Sequence, residues 1–350
     1  MNRLGVAVIG AGYWGPNLVR NIALSDETEL RWVCDLDRTR AERLTSTYSG
    51  AQATDDIRQV LDDPLVDAVA IATPASTHAG VAIEAMRAGK HVLIEKPLAP
   101  SVSDAQRVID VGRETGRVVM CDHTYCYTPA VRHIAKMIHE GELGEIFYID
   151  SIRINLGLVQ PDVDVLWDLA PHDLSIIDHI LPADRAVLSV AAHGADPIGA
   201  GNSCVAYLVL ALAGGAIAHI HVNWLSPTKV RTMTIGGSRR TLVWDDLSPT
   251  QRISVYDRGI DVATAGDTEI RHRNQVAYRI GDMIAPALPD REALSSVITE
   301  WASAIREDRE PITGASSGLR VLRILEAATM SLSEGGRTIS LEPELTEVAR

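Results

Sequence analysis

LGVAVIGAGYWG, residues 4–15, decides how the rest of the chain is read. LGVAVI is a short, nearly continuous apolar run that ends in glycine, and apolar residues at helical spacing follow at Leu18, Val19 and Ile22. A buried strand that breaks into a glycine turn and then a helix is the opening unit of a dinucleotide-binding domain. Gly10 permits the tight turn, Gly12 lets a pyrophosphate approach the backbone, and Gly15 lets the helix lie close to the strand. The helix start aims N–H donors at the phosphates, with Tyr13 and Trp14 inside the same turn as further cofactor-side residues. A lone GxGxxG can be no more than a convenient turn. Here a second apolar strand, LRWVCD at 30–35, follows in the required order.

Asp35 ends that second strand, twenty positions after Gly15. A carboxylate there accepts hydrogen bonds from ribose hydroxyls and repels a ribose 2'-phosphate, which favours NAD over NADP. Helix capping is the structural alternative for Asp35. Arg38 and Arg40 lie close enough to flank a phosphate. The pattern continues with DAVAIATP, HVLIEKP and VVMCDH as apolar strands, and with helices at RTRAERLTSTY, THAGVAIEAMRAG and SVSDAQRVIDVGRETG. Continuous apolar strands alternating with amphipathic helices predict a parallel sheet covered on both faces. Thr73, Pro74 and His78 follow one strand and are placed near the cofactor, His78 as a helix-start residue on the nicotinamide side. Glu95 and Lys96 end another; charges at the end of a buried strand face a cleft or pair with one another.

After TPAVRHIAKMIHEGELG the rhythm changes to strands with few helices between them: EIFYIDSIRI, AVLSVAAHG, CVAYLVLAL, AIAHIHVNWL, RTMTIGG and RRTLVWDD. Gly214 and Gly215 sit where a hairpin would turn. The expected architecture is an α/β Rossmann domain over residues 1–123 and an α+β domain with an open mixed, largely antiparallel sheet over 124–330. A tail, 331–350, packs back on the protein. One face of the second sheet is expected to carry the helices around 168–181, and the other to meet another subunit in a homodimer or homotetramer. His219 and His221 alternate with apolar residues and read as one sheet face. The segment 257–290 is irregular. REALSSVITEWASAIRED and ASSGLRVLRILEAATMSLSEG close the chain as helices.

Composition narrows the partners. A chain of 350 residues is long enough for two domains. A formal charge of −13 argues against a nucleic-acid partner, which needs concentrated Lys and Arg. No apolar run reaches the length of a bilayer span, so no membrane partner is expected, and the N-terminus reads as a strand rather than a leader, which makes the cytoplasm the expected location. Cys34, Cys121, Cys126 and Cys204 show neither metal-ligand nor disulfide-scaffold spacing, so free thiols and no metal are expected.

Taken together, AVIGAGYWG, the acid in VCDLD, ATPASTHA, GKHVLIEKPLA, DHTYCYTPA and DLAPHD resemble the Gfo/Idh/MocA oxidoreductase family, in order along nearly the whole chain. The resemblance implies pyridine-nucleotide chemistry on sugars or cyclitols, often in dimers or tetramers. It makes Lys96 the family lysine, His172 the histidine facing the nicotinamide, and Asp168 the acidic partner of the inositol-dehydrogenase branch. His123 and Tyr125 match its substrate-side GH-aromatic region. Asp122 departs from it, standing where glycine is common, as does Thr128 where asparagine often precedes the proline. VAYRIGDMIAP, 276–286, looks like the nucleotide-sugar branches.

The resulting expectation is hydride transfer between a ring secondary alcohol, possibly C3 of a nucleotide-linked sugar, and nicotinamide. His172 acts as general base and Lys96 stabilises alkoxide charge. Asp168 is expected to open a helix, capping its N–H groups, with His172 one turn later on the same face and Pro171 tolerated in the first turn. Arg153, Asn155, Asp168 and Asp173 are candidate substrate contacts, with Asp162 and Asp164 less specific loop acids. An inositol or cyclitol dehydrogenase is the nearest alternative; a non-catalytic NAD-binding regulatory or assembly protein is the alternative of another class.

Overall fold

The computed structural model describes residues 3–159, 163–257, 259–262, 276–279 and 281–341. The chain forms two compact units: 1–129 with 174–179 and 290–326, and 130–173 with 180–289 and 327–350.

The first unit holds a six-stranded sheet of β1 (Leu4–Ile9), β2 (Thr28–Cys34), β3 (Gln52–Thr54), β4 (Ala68–Ile71), β5 (His91–Glu95) and β6 (Val119–Asp122). Every pairing is parallel, in the order β3-β2-β1-β4-β5-β6. This is the doubly wound arrangement with its switch point beside β1, where ligands bind outside the strands' C-terminal ends. β4 is buried at all four positions, as a sheet covered on both faces requires. Its helices are α1 (Gly15–Leu24), α2 (Arg38–Thr45), α3 (Ile57–Leu61), α4 (His78–Arg87) and α5 (Val102–Thr115). Local chemistry sets their ends. Asp37 caps α2 by accepting the Thr39 N–H at 3.1 Å. Ser101 caps α5 through Asp104 N–H, and Gly116, at φ 63°, stops it in the left-handed region.

The remaining helices are α6 (Pro129–His139), α7 (Val165–Ile180), α8 (Ala293–Glu307) and α9 (Ala315–Ser333). α8 belongs to the first unit although it lies about 170 residues beyond β6 in sequence. Its Leu294, Val297, Ile298 and Trp301 join the core cluster that contains Leu18 and Ile22 of α1. Arg20 and Glu292 form an ion pair at the same place. A contiguous division after residue 123 assigns α8 to the second domain; its apolar stripe instead completes the first core.

The second unit holds a nine-stranded sheet. It runs from the short strand Met283–Ile284 through β13 (Ile253–Tyr256), β12 (Thr241–Asp245), β11 (Leu225–Gly237), β7 (Ile146–Leu156), β10 (Ile217–Asn223), β9 (Val205–Leu212) and β8 (Val187–Ala195) to the short strand Ile339–Ser340. Only β7 and β10 pair in parallel, so the sheet is mixed and largely antiparallel. Gly214 and Gly215, at φ 84° and 85°, make the β9–β10 hairpin, closed by Leu212 N–H to Ala216 C=O at 2.9 Å.

Alternation gives this sheet two different faces. Ala206, Leu208, Leu210, Ala218, Ile220 and Val222 are buried. Their neighbours Tyr207, Val209 and Ile217 are exposed. On that outer face Tyr207 stacks on His221 at 4.4 Å, and His219 lies 3.3 Å from Asp150. On the inner face Asp173 of α7 and Ser331 of α9 hydrogen-bond to sheet residues. All four cysteines are free and buried. Among the described residues no helix is long and apolar enough to cross a membrane.

Candidate active site

The glycine turn after β1 has the shape its sequence requires. Gly10 adopts φ 101°, and a Cβ there would stand 2.5 Å from the Ala72 carbonyl oxygen. A Cβ on Gly15 would collide with the Gly10 carbonyl, so this residue secures the close approach of helix and strand. Beside Gly12 there is open space instead, the room a pyrophosphate needs. Tyr13 is fully solvent-facing, while the Trp14 indole N–H donates to Asp122 at 3.1 Å. Asp35 lies directly against the turn: its carboxylate accepts Ala11 N–H at 2.6 Å and Asp37 N–H at 2.9 Å. Two carboxylate oxygens offer about four lone-pair sites, which leaves capacity for ribose hydroxyls. Capping of α2 falls to Asp37. Arg38 pairs with Glu42 and Arg40 with Asp37 on the surface, so both cations already have acidic neighbours.

The strand ends next to this turn are held by side-chain hydrogen bonds, one at the surface and two from the buried His78. Thr73 accepts from the Thr77 hydroxyl at 2.8 Å. His78 lies with Nδ1 2.8 Å from the Pro97 carbonyl and Nε2 2.9 Å from the Thr73 carbonyl. Burial lowers its pKa, the two carbonyls oppose that, and Lys96 adds to the lowering. Both nitrogens therefore face the backbone. His78 fastens the loop containing Thr73 and Pro74 to the one after β5, which sets the shape of the cofactor side without offering its own ring. Glu95 likewise turns inward. It is the register partner of Asp122 on β6, and burial together with the charge of Asp122 raises its pKa well above the usual carboxylate range. Lys96 follows at the C-terminal end of β5, in the row of strand ends that faces ligands in this fold.

His123 is 1% exposed, and neither ring nitrogen has a hydrogen-bond partner among the described residues. Burial pushes its pKa down to about 4; Asp178 opposes this and Lys96 reinforces it. The ring is thus neutral at pH 7. Asp178 is itself held by Arg320, at 2.6 and 2.9 Å, and by Ser317. Tyr125 is partly exposed beside these groups in sequence.

In the second unit, α7 begins three residues before Asp168, and this changes two expectations. Asp164 provides the cap, accepting Trp167 N–H at 2.9 Å. Burial raises its pKa while the Trp167 and Leu166 N–H groups lower it. Pro171 is consequently inside the helix rather than in its first turn, where it removes the bond to the Trp167 carbonyl. Asp168, relieved of capping, accepts the Trp224 indole N–H at 2.9 Å. His172 stands one turn on, partly exposed. Asn155 belongs to the same neighbourhood, since a Cβ at Gly157 would meet both the Asn155 amide and the Trp224 ring.

Arg153 and Asp173 have a different position from the one expected of substrate contacts. They form a two-point ion pair at 2.7 and 3.0 Å with side chains 3% and 2% exposed, and Ser151 donates to the same carboxylate. Period two along β7 puts Ser151 and Arg153 on the inner face, where α7 supplies the matching charge. The pair fixes helix to sheet behind the His172 face. Asp162 lies outside the described residues. Trp224 and Ser151 escaped sequence reasoning because each contacts a residue far away in the chain. Among the described residues no three His, Cys, Asp or Glu side chains converge as a metal site.

An oxidoreductase family described by its NAD-binding Rossmann fold matches residues 4–123, and its C-terminal alpha/beta domain matches 135–341. The chain belongs to this oxidoreductase family. Among its relatives, UDP-N-acetylglucosamine 3-dehydrogenase of Acidithiobacillus ferrooxidans is 27% identical over 328 residues, covering 92% of this chain and 95% of the relative. A solved structure of that enzyme superposes with a TM-score of 0.81 at 25% identity, covering 95% of this chain and 99% of the other. The NAD(+)-linked scyllo-inositol 2-dehydrogenase of Bacillus subtilis is 29% identical over 194 residues, 54% of this chain and 56% of that one. The residues matched to the NAD-binding Rossmann fold include the glycine turn, with its open space at Gly12, and the carboxylate of Asp35. These are features of the chain that suit NAD.

Proposed function

We propose that the protein is an NAD-dependent dehydrogenase of a ring secondary alcohol in a sugar, with C3 of a nucleotide-linked sugar as the narrower reading. The observation that carries it is Asp168: held by Trp224 instead of capping α7, it stands one turn from His172 on a helix of a chain whose first unit presents a dinucleotide turn. The relative acting at C3 of UDP-N-acetylglucosamine, matched over nearly the full length, supports the narrower reading. The scyllo-inositol relative supports a cyclitol as second reading, over about half the chain.

Gly10, Gly12 and Gly15 with the start of α1 would hold the pyrophosphate, and Asp35 the adenosine ribose. The negative charge of Asp35 disfavours a 2'-phosphate and is the reason for preferring NAD. Bound NAD supplies the hydride acceptor, nicotinamide C4. His172 removes the hydroxyl proton as general base and returns it in the reverse direction. Lys96, at the end of β5, is the cation assigned to stabilise the negative charge that develops on the substrate alkoxide. Asp168, fixed by Trp224, orients the helix face that carries His172 or takes a neighbouring hydroxyl. The retained set of Lys96, Asp168 and His172 favours turnover over a purely regulatory role.

The test offers NAD or NADP with UDP- and dTDP-sugars, free sugars, glycosides and inositols, and follows the near-ultraviolet absorbance of the reduced cofactor. Reduction of NAD on one substrate class is expected, with a loss of about 10²- to 10⁴-fold in kcat for His172→Ala. If bound cofactor never changes redox state with any alcohol or with added keto-sugar acceptors, the dehydrogenase reading is wrong.

A further inference from the structure

Glu95 and Asp122 end adjacent parallel strands and are register partners, so their side chains leave the sheet on the same side. Asp122 is 1% exposed, and Glu95 Oε2 is shut off from solvent with no donor among the described residues. Two carboxylates so placed repel one another, and neither oxygen can donate to the other. A single proton resolves both problems, because it removes one charge and turns the contact into a hydrogen bond.

The groups around the pair favour this state. Trp14 Nε1–H donates to Asp122 Oδ2 at 3.1 Å and the Thr124 hydroxyl to Oδ1 at 2.7 Å. These donors stabilise charge on Asp122. Glu95 is the more strongly raised partner: burial pushes its pKa well up, the charge of Asp122 adds to this, and Lys96 and its backbone N–H only partly compensate. Asp122 is raised by burial but lowered by Thr124, Trp14 and Glu95. Of the neighbouring thiols, Cys121 is pushed up by burial and by both acids, and Cys126 to about 12, so both remain neutral.

We propose that Glu95 and Asp122 share one proton, and that Asp122, as the anionic member, is a positioning residue that holds Trp14 and thereby sets the dinucleotide turn. β6 lies three places from β1 in the sheet, so the Trp14–Asp122 bond ties the turn to a distant strand end. The positioning role rests on the turn binding NAD; the shared proton does not.

Two measurements on the full chain separate these parts. Infrared spectra should show a protonated-carboxyl stretch persisting through neutral into mildly alkaline pH and absent in Glu95→Gln. Calorimetric titration with NAD should show about tenfold weaker binding for Asp122→Ala and for Trp14→Phe, the loss of one hydrogen bond to a charged group. The double variant should be no weaker than either single one. Asp122→Asn keeps an acceptor for Trp14 and offers an amide donor to Glu95, so it should restore most of the affinity, and it carries the test if the alanine variant does not fold. Absence of the protonated-carboxyl signal overturns the shared proton. Additive losses, undiminished affinity of Asp122→Ala or failure of Asp122→Asn to restore binding overturn the positioning role. An unaltered protein that takes up no NAD overturns the dinucleotide reading and the positioning role together, while the infrared result still decides the proton.

Discussion

Residue identity and residue role separate most clearly at Arg153 and Asp173. Both are polar, Asp173 next to His172 and Arg153 on the strand whose following loop leads into α7, and both read as substrate contacts until their burial is known. With side chains 3% and 2% exposed, their main partner is one another. Removing one member leaves a buried charge uncompensated, so Asp173→Asn should lower stability by about 3–5 kcal/mol, read as a shifted denaturant midpoint. A substrate contact predicts the opposite pattern, a raised KM with an unchanged midpoint. Asp168 shows the converse. Its place one turn before His172 was legible from spacing, but its position inside the helix was not, nor was its partner Trp224, 56 residues further on.

Elements were legible where their pattern was long. The longer strands and helices of the first unit follow from apolar runs and caps, whereas Gln52–Thr54 and Ile57–Leu61, three and five residues long, have no readable period. α8 was readable as a helix, but not its address. Trp301, fully buried in the core cluster with Leu18 and Ile22, is the residue that joins it to the first unit. Trp301→Ala should cost about 3–5 kcal/mol in an unfolding titration. Trp301→Phe should cost less, since the indole N–H it removes has no acceptor among the described residues.

Protonation sets the stability of the whole molecule at both ends of the pH range. His123 and His91 are each held down to about 4 in the folded chain, chiefly by burial, against an ordinary value of 6.5. Below 6.5 the unfolded chain binds protons that the folded chain refuses, so stability falls as pH drops from 6.5 towards 4. Glu95 and Asp122 act in the other direction. Their folded pKa values are raised, so the folded chain keeps a proton that the unfolded chain releases, and stability declines as pH rises above the ordinary carboxylate range. Chemical denaturation across pH should therefore show a steep acid limb, reduced by His123→Gln, and an alkaline decline flattened by Glu95→Gln. An acid limb unaltered in His123→Gln would show that this ring does not contribute to it.

Residue order alone carried the doubly wound first sheet, the mainly antiparallel second one, the glycine turn after β1 and the one-turn spacing of Asp168 and His172. These depend on local periods, on glycine's backbone freedom and on motifs of a few residues, all of which are written within one stretch of chain. Tertiary structure alone decided that Asp164 and not Asp168 caps α7, that α8 returns to the first core, that Arg153 and Asp173 neutralise each other, and that Glu95 faces Asp122. Each of those is a pairing between groups distant in the chain or a matter of burial. Charge, hydrogen bonding and protonation follow from what lies next to a side chain in space, which residue order does not state.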